Sequence, residues 1–347
     1  MLGAPSEILS EQDEYIQDIA VDDYGTRCAT CSSDKKLRVW DRDGAGKWQV
    51  KAAWNSFHMG TIWKVAWSPP VFGSLLASFS SDKHVHIWQE PVLSLEHRTD
   101  NPTKWNHVVA LSDHRDVVLD VAFAPAHFGL RVATACRDGY VRVYEAKDTF
   151  NLERWESPEV FEAGMNPTLV TSAKPNKSTV REPNNSGDYI AKEALRNAVT
   201  CLCWNPSPRN GFQTLVAGCE DGCTRVWTFT DQRRWEHAME LPQHKGQVHA
   251  VSWAPNMGRT FDLIASGGTD ARICIVKARA ASSGTLQLES LARVQCANEI
   301  SRLQWNVTGT ILASSGDDGI VRMWTQAVGP KQHSQQMHWE QGGVLHR

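Results

Sequence analysis

Three His–Asp couples recur along the chain: His58 with Asp82, His114 with Asp138, and His244 with Asp270. An imidazole oriented by a carboxylate is the general-base half of many catalytic sites. Each of these histidines, however, lies nine residues before a strand-ending aromatic (Trp67, Phe123 or Trp253), and each Asp follows in a later turn. A catalytic pair is not copied around a fold, so the couples read as structural. Cys28 and Cys31 form a CxxC, a spacing used by zinc sites. They sit in the alternating run TRCATCS. On a strand, side chains three apart point to opposite faces, so the two thiols do not share an ion. No Ser-His-Asp set, glycine-rich phosphate loop or separate metal-ligand cluster stands outside the repeats. No enzyme activity, catalytic residue, metal or cofactor is expected.

The elements that position these residues form a repeat. A small or polar residue, an Asp, and then an aromatic or β-branched residue six positions later recur six times. The pairs are Asp34/Trp40, Asp82/Trp88, Asp138/Tyr144, Asp221/Trp227, Asp270/Val276 and Asp318/Trp324. Upstream of each lies an alternating strand ending in an aromatic, as in IWKVAWSP, VLDVAFAP, VTCLCWNP, VHAVSWAP and ISRLQWNV; the first copy is the weaker IQDIAVDD. A second apolar strand follows: RCATCS, LLASFS, RVATAC, TLVAGC, LIASGG, ILASSG. A Trp then marks a fourth strand at Trp48, Trp105, Trp155, Trp235 and Trp339. Short period-two strands separated by Gly, Asp, Asn and Pro turns are all-β signals. A four-stranded unit of about 48 residues, repeated, predicts the blades of a β-propeller. The spacing predicts six blades at about 14–55, 56–112, 113–157, 198–242, 243–295 and 296–342, after a flexible tail over 1–13. The interval between Asp138 and Asp221 is long, and a surface insertion over about 158–197, rich in Pro, Asn, Ser and Thr, accounts for it. Ser178 and Thr179, beside Lys177 and Arg181, could be a modification site in it.

In this reading the chemistry of the repeat is internal. Each Asp occupies the turn between strands two and three, where its carboxylate accepts backbone N–H groups. The His donates to that Asp, and a buried Trp indole needs an acceptor of its own.

Composition narrows the function classes. Thirty-six basic and 39 acidic side chains leave a formal net charge of −3, without the basic face that nucleic-acid binding requires. No run of eighteen apolar residues occurs. The acidic N-terminus lacks the apolar core of a signal peptide. Nine unevenly spaced cysteines fit a reducing compartment better than a disulfide framework. The N-x-S/T sequons at Asn176, Asn184 and Asn306 then read as chance matches.

The stretches FAPAHFGLRVATACRDGYVRVYEAKDTFNLERW, WAPNMGRTFDLIASGG and WNVTGTILASSGDDGIVRMW resemble the WD-repeat propeller family. Within it they resemble the small propellers of the nuclear-pore outer ring, whose sister is the small propeller of the COPII coat. The resemblance implies an open six-bladed ring whose seventh blade is inserted in trans by an α-solenoid nucleoporin. It also implies other subunits of the Y-shaped nuclear-pore complex as partners, and a second assembly with the solenoid subunit of a vacuolar or lysosomal TOR-regulating complex. The implied locations are the nuclear envelope and, peripherally, the vacuolar or lysosomal surface.

The termini bear on this expectation. The short acidic N-terminus and the C-terminal QQMHWEQGGVLHR leave nothing for a seventh blade or a clasp. An uncompleted ring would expose apolar residues of blades one and six, here Ile16, Ile19, Leu37 and Val39, with Ile311, Val321 and Met323. A large apolar patch marks an interaction site. Three other readings stay open: a closed six-bladed ring, a COPII outer-coat small propeller subunit, and a generic adaptor that reads a peptide on its top face.

Overall fold

A computed structural model describes residues 15–91, 105–149, 151–164, 197–207, 211–280, 286–327 and 339–345. These residues form a six-bladed β-propeller in which every blade is a four-stranded antiparallel sheet. Blade one comprises strands Ile16–Val21, Arg27–Ser32, Lys36–Arg42 and Trp48–Asn55. Blade two comprises Ile62–Trp67, Leu75–Ser80, Val85–Gln89 and Asn106–Leu111, and blade three Val118–Phe123, Arg131–Cys136, Tyr140–Glu145 and Glu159–Glu162. Blades four to six repeat the plan from Val199–Trp204, Val248–Trp253 and Arg302–Trp305 onward, ending with Trp339–Leu345. The chain divides into two compact units, 1–134 with 142–159 and 135–141 with 160–347.

The turn between strands two and three shows why the repeat needs its Asp. The residue after each Asp is left-handed in all six blades: Lys35, Lys83, Gly139, Gly222, Ala271 and Gly319, with φ between 54° and 82°. Glycine takes this conformation without penalty, whereas an L-side chain is strained by about 1–2 kcal/mol. Three blades bear that strain because the Asp itself holds the turn: in every blade it accepts the N–H two residues on. Lys36, His84, Tyr140, Cys223, Arg272 and Ile320 are the donors, at 2.8–3.2 Å.

Within each unit, blades stack face to face. In the first, Ala29, Leu37, Val39, Ala52 and Trp54 of blade one pack against Ile62, Val65, Leu76, Trp88 and Trp105 of blade two. In the second, the Val216 and Val226 face of blade four packs on Val248, Val251 and Trp253 of blade five, and Ile273 and Ile275 of blade five pack on Ile300, Leu303 and Trp324 of blade six. Each valine, leucine and isoleucine among them contributes about 1.5–3 kcal/mol of burial. Polar bonds fix the spacing. The Trp67 indole N–H donates to Ala20 of blade one at 3.0 Å, and that of Trp305 donates to Ser252 of blade five at 3.1 Å. Arg27 of blade one clamps Glu90 of blade two and lies over the rings of Trp67 and Trp105.

Two boundary expectations change. The fourth strand of blade three is Glu159–Glu162, inside the region assigned to an insertion, and Trp155 forms only an isolated bridge to Ala146. Trp155 turns its indole N–H onto Leu152 O at 2.8 Å and packs on Leu75, Leu130 and Ala146, so it serves the core without starting a strand. The tail over 1–13, most of the 158–197 stretch, and Ser178 and Thr179 lie outside the described residues.

The turns make a paired prediction. Ala271→Gly relieves a left-handed alanine and is expected to stabilise the protein by about 0.5–1 kcal/mol. Gly222→Ala is expected to destabilise it by more than about 1 kcal/mol, since a Cβ there would lie 2.5 Å from His244 O. Urea denaturation of both variants checks the opposite signs.

Candidate functional site

The six turn aspartates differ in which basic side chain faces them. In blades one, four and six it is an arginine four residues on: Arg38 to Asp34 at 3.1 Å, Arg225 to Asp221 at 2.6 Å and Arg322 to Asp318 at 2.6 Å. In blades two and five it is the upstream histidine, with His58 Nδ1 2.9 Å from Asp82 and His244 Nδ1 3.0 Å from Asp270. There the residue four after the Asp is not arginine but His86 or Cys274. Blade three carries both His114 and Arg142, and His114 Nε2 rests on Thr134 Oγ1 at 2.9 Å. The arginine stands in the sequence motifs (SSDKKLRVW, CEDGCTRVW, GDDGIVRMW) and is the signal that the His-centred reading of the repeat overlooked.

Among the described residues, only blade two carries the full chain from Asp to Trp. His58 bridges Asp82 and Ser78 Oγ (3.0 Å), and the Trp88 indole donates to the same hydroxyl at 2.9 Å. Trp40 and Trp324 keep the last link, to Thr30 and Ser314. Trp227 does not: ten residues upstream stands Ala217, with no hydroxyl, and its indole N–H has no partner among the described residues. Blade five keeps His244, Ser266 and Asp270, with Val276 in place of the Trp. Burial would raise the Asp82 carboxyl, but the bond and charge of His58 and the N–H groups of Met59 and His84 outweigh it and hold the group at about 2. Asp270 is lowered in the same way by His244. Burial foremost, then the neighbouring His58 and His107, pushes His86 down to about 3. Nothing here resembles a nucleophile–base pair open to substrate; His58 and His244 are buried and both ring nitrogens of each are engaged. Cys28 pairs in register with Trp40 and Cys31 with Leu37, on opposite faces, and burial followed by Asp22 and Asp41 pushes the Cys28 thiol up to about 12.

The outward faces of the first and last blades are the other candidate. Equivalent positions within the repeat provide an internal reference. In blade one, Ile19 is 47% exposed and Val21 54%. The counterparts of Ile19 are Val65, Val121, Leu202, Val251 and Leu303, all buried. Val21 stands where the other blades have Trp67, Phe123, Trp204, Trp253 and Trp305. Ile16 is half-buried, while its counterparts Ile62, Val118, Val199, Val248 and Ile300 are buried. Val50, opposite Trp40, extends the uncovered face. On blade six, Val321 and Met323 are half-exposed, whereas their counterparts in all five other blades are buried, and Ile311 is half-exposed beside them.

Leu37 and Val39 require correction. They are those buried counterparts in blade one, at 1% and 0% exposure, packed on Ile62 and Val65 of blade two. A strand has two faces, and these positions point toward the next blade. The same positions are half-exposed in blade six. Val21 and Val50 belong to the uncovered set and were missed. The missing strand-end aromatic at Val21 was the available signal.

Comparison with known proteins adds a family assignment to this geometry. The WD domain, G-beta repeat family matches residues 3–41, 105–145, 193–228 and 289–325. Over 332 residues the chain is 32% identical to nucleoporin SEH1-A of Xenopus laevis and to nucleoporin SEH1 of Homo sapiens, covering 91% of this chain and 83% of each relative. Nucleoporin SEH1 of Danio rerio is likewise 32% identical, with 82% of its length covered.

The lowered carboxylates set a pH window. A folded-state pKa below the unfolded value of about 3.9 contributes stability that is present above that value and lost as pH falls toward the folded one. For Asp82 the window runs from about pH 4 to about 2. Asp82→Asn is expected to be less stable at neutral pH and to lose less further stability across that window than the parent protein. Melting temperatures against pH check this, and parallel curves would rule it out.

Proposed function

Because this chain belongs to the SEH1 family of WD-repeat nucleoporins, we propose that it is a non-catalytic scaffold subunit of the nuclear-pore outer ring, completed by a partner that supplies a seventh blade. The carrying observation is the exposure of Ile19 on blade one and the partial exposure of Val321 and Met323 on blade six, at positions that every other blade buries, with Val21, 54% exposed, beside Ile19. Those side chains are apolar and lie on regular strands, so the surface that matches them is another sheet of apolar strands. Sheet packing buries such side chains, and pairing at strand edges adds to it. An α-solenoid nucleoporin that carries those strands is the partner of this reading, with the remaining subunits of the Y-shaped complex bound through it. The same two faces would serve the solenoid subunit of a vacuolar or lysosomal TOR-regulating complex, so the two partners would exclude each other. The relatives are named nucleoporins, which favours the pore over the COPII coat. A peptide reader using the top face would leave the blade-one and blade-six faces without a role.

Co-expression with a solenoid nucleoporin tests this. Val21→Asp and Val321→Asp place a carboxylate on an exposed and a half-exposed position, so the isolated chain is expected to fold as before. Each is expected to weaken the complex by about 2 kcal/mol or more, roughly thirtyfold. Unchanged affinity in both variants would remove the proposal and favour the top-face reading.

A further inference from the structure

Blade two departs from its neighbours in a second way. Four blades place an arginine four residues after the turn Asp, at Arg38, Arg142, Arg225 and Arg322. Blade two places His86 there, and the blade gathers three further imidazoles around it. The rings of His58, His84 and His107 have centroids 4.4, 6.2 and 4.9 Å from that of His86. One donor atom each from His58, Asp82 and His86 lies within 4.8 Å of the other two, the one such group of three among the described residues. We propose that His58, Asp82 and His86 form a binding site for a divalent transition-metal ion, with zinc the best match, on the outer part of blade two.

The chemistry fits the donor set. Two imidazoles and a carboxylate suit zinc, and nitrogen donors disfavour magnesium and calcium. Bonds of 2.0–2.2 Å in a tetrahedral site place donor atoms about 3.3 Å apart. The His58–Asp82 contact, now 2.9 Å, needs to open by only a few tenths of an ångström. The third donor closes in, and water completes the four. His58 binds through Nδ1 as the neutral tautomer with its proton on Nε2, so the proton between Nδ1 and Asp82 leaves that contact as the ion enters. His58 keeps its Nε2 contact to Ser78 Oγ, itself held by the Trp88 indole. Partners of this kind, which fix the ring of a metal-binding histidine, accompany such sites. His86 has one as well: its Nδ1 lies 2.7 Å from Nε2 of the exposed His107. Met59, 83% exposed, and Phe57, 60% exposed, flank His58, so the site lies close to solvent.

Other blades serve as controls. Blade five repeats the dyad with His244, Asp270 and Ser266, but its third position is Cys274, a buried thiol whose pKa burial raises. In blades one, four and six an arginine occupies the position and already neutralises the Asp.

The test uses the full chain, stripped with a chelator and titrated with zinc by calorimetry and with Co²⁺ by absorption. One ion per chain is expected, with tetrahedral cobalt bands, no thiolate charge-transfer band and a higher melting temperature with zinc. His86→Arg installs the residue that four blades already carry; it is expected to keep the fold and lose the ion. His107→Ala is expected to weaken binding roughly 10- to 100-fold. No uptake by the parent chain overturns the proposal. So does equal affinity in His86→Arg or in His107→Ala, and so does a thiolate band, which would assign the ion to the free cysteines.

Discussion

A half-buried carboxylate in a tight turn organises every blade. Its oxygens accept the N–H two residues on, which closes the turn over a left-handed residue. The same carboxylate would be costly so near the core without a side chain that donates to it. The molecule meets that requirement in two ways, with an arginine from strand three or a histidine from the loop that leads into the blade. The histidine solution ties the loop to the turn and, through Ser78 or Ser266, to strand two. The arginine–aspartate pair itself stays within one hairpin, although Arg225 also donates to Ala163 O of the preceding segment. Blades can therefore drift in sequence while the constraint holds, which is why Cys274 and Val276 are tolerated where Arg and Trp stand elsewhere.

The turn orients strand three, and strand three decides which side chains meet the next blade. Positions three and five after the Asp point onward, to be covered by the following blade; position six points back toward the preceding one. Leu37 and Val39 against Ile62 and Val65 show the forward face, and Trp88 packed with Trp54 and Leu37 shows the rear one. A chain of six such units presents one rear face and one forward face that its own sequence neighbours do not cover, on blades one and six respectively.

Much of this was legible before any coordinates. The Asp-to-aromatic spacing of six located all six turns, and period-two alternation located the strands. The His–Asp couples of blades two and five met as expected. Three features were not legible in the same way. Trp155 carries the aromatic of a fourth strand but is used for packing, because the chain reaches its pairing partner only at Glu159–Glu162. Leu37 and Val39 are apolar and alternate correctly, yet alternation alone does not say which face looks forward. The imidazole cluster joins residues from three separate stretches, His58, the Asp82–His86 hairpin and His107, whose meeting depends on blade one's last loop folding over blade two.

The position of Val21 ties these points together. In blades two and six the strand-end tryptophan does more than fill space: its indole N–H donates to a backbone carbonyl on the first strand of the blade before it. Such a donor is useful only where a carbonyl is fixed within reach, because a buried indole without an acceptor is penalised. Blade one is the first blade of the chain, and there the repeat has valine, exposed and without hydrogen-bonding capacity. Its neighbours Ile19 and Val50 are apolar too, so the face has not been made polar to suit water. A surface that drops the polar stitch between blades yet keeps its hydrophobic character is suited to packing against apolar strands that need not align with it as one repeat aligns with the next. On the proposed reading, that distinction is what a strand supplied by another chain would exploit and a seventh copy of the same unit would not.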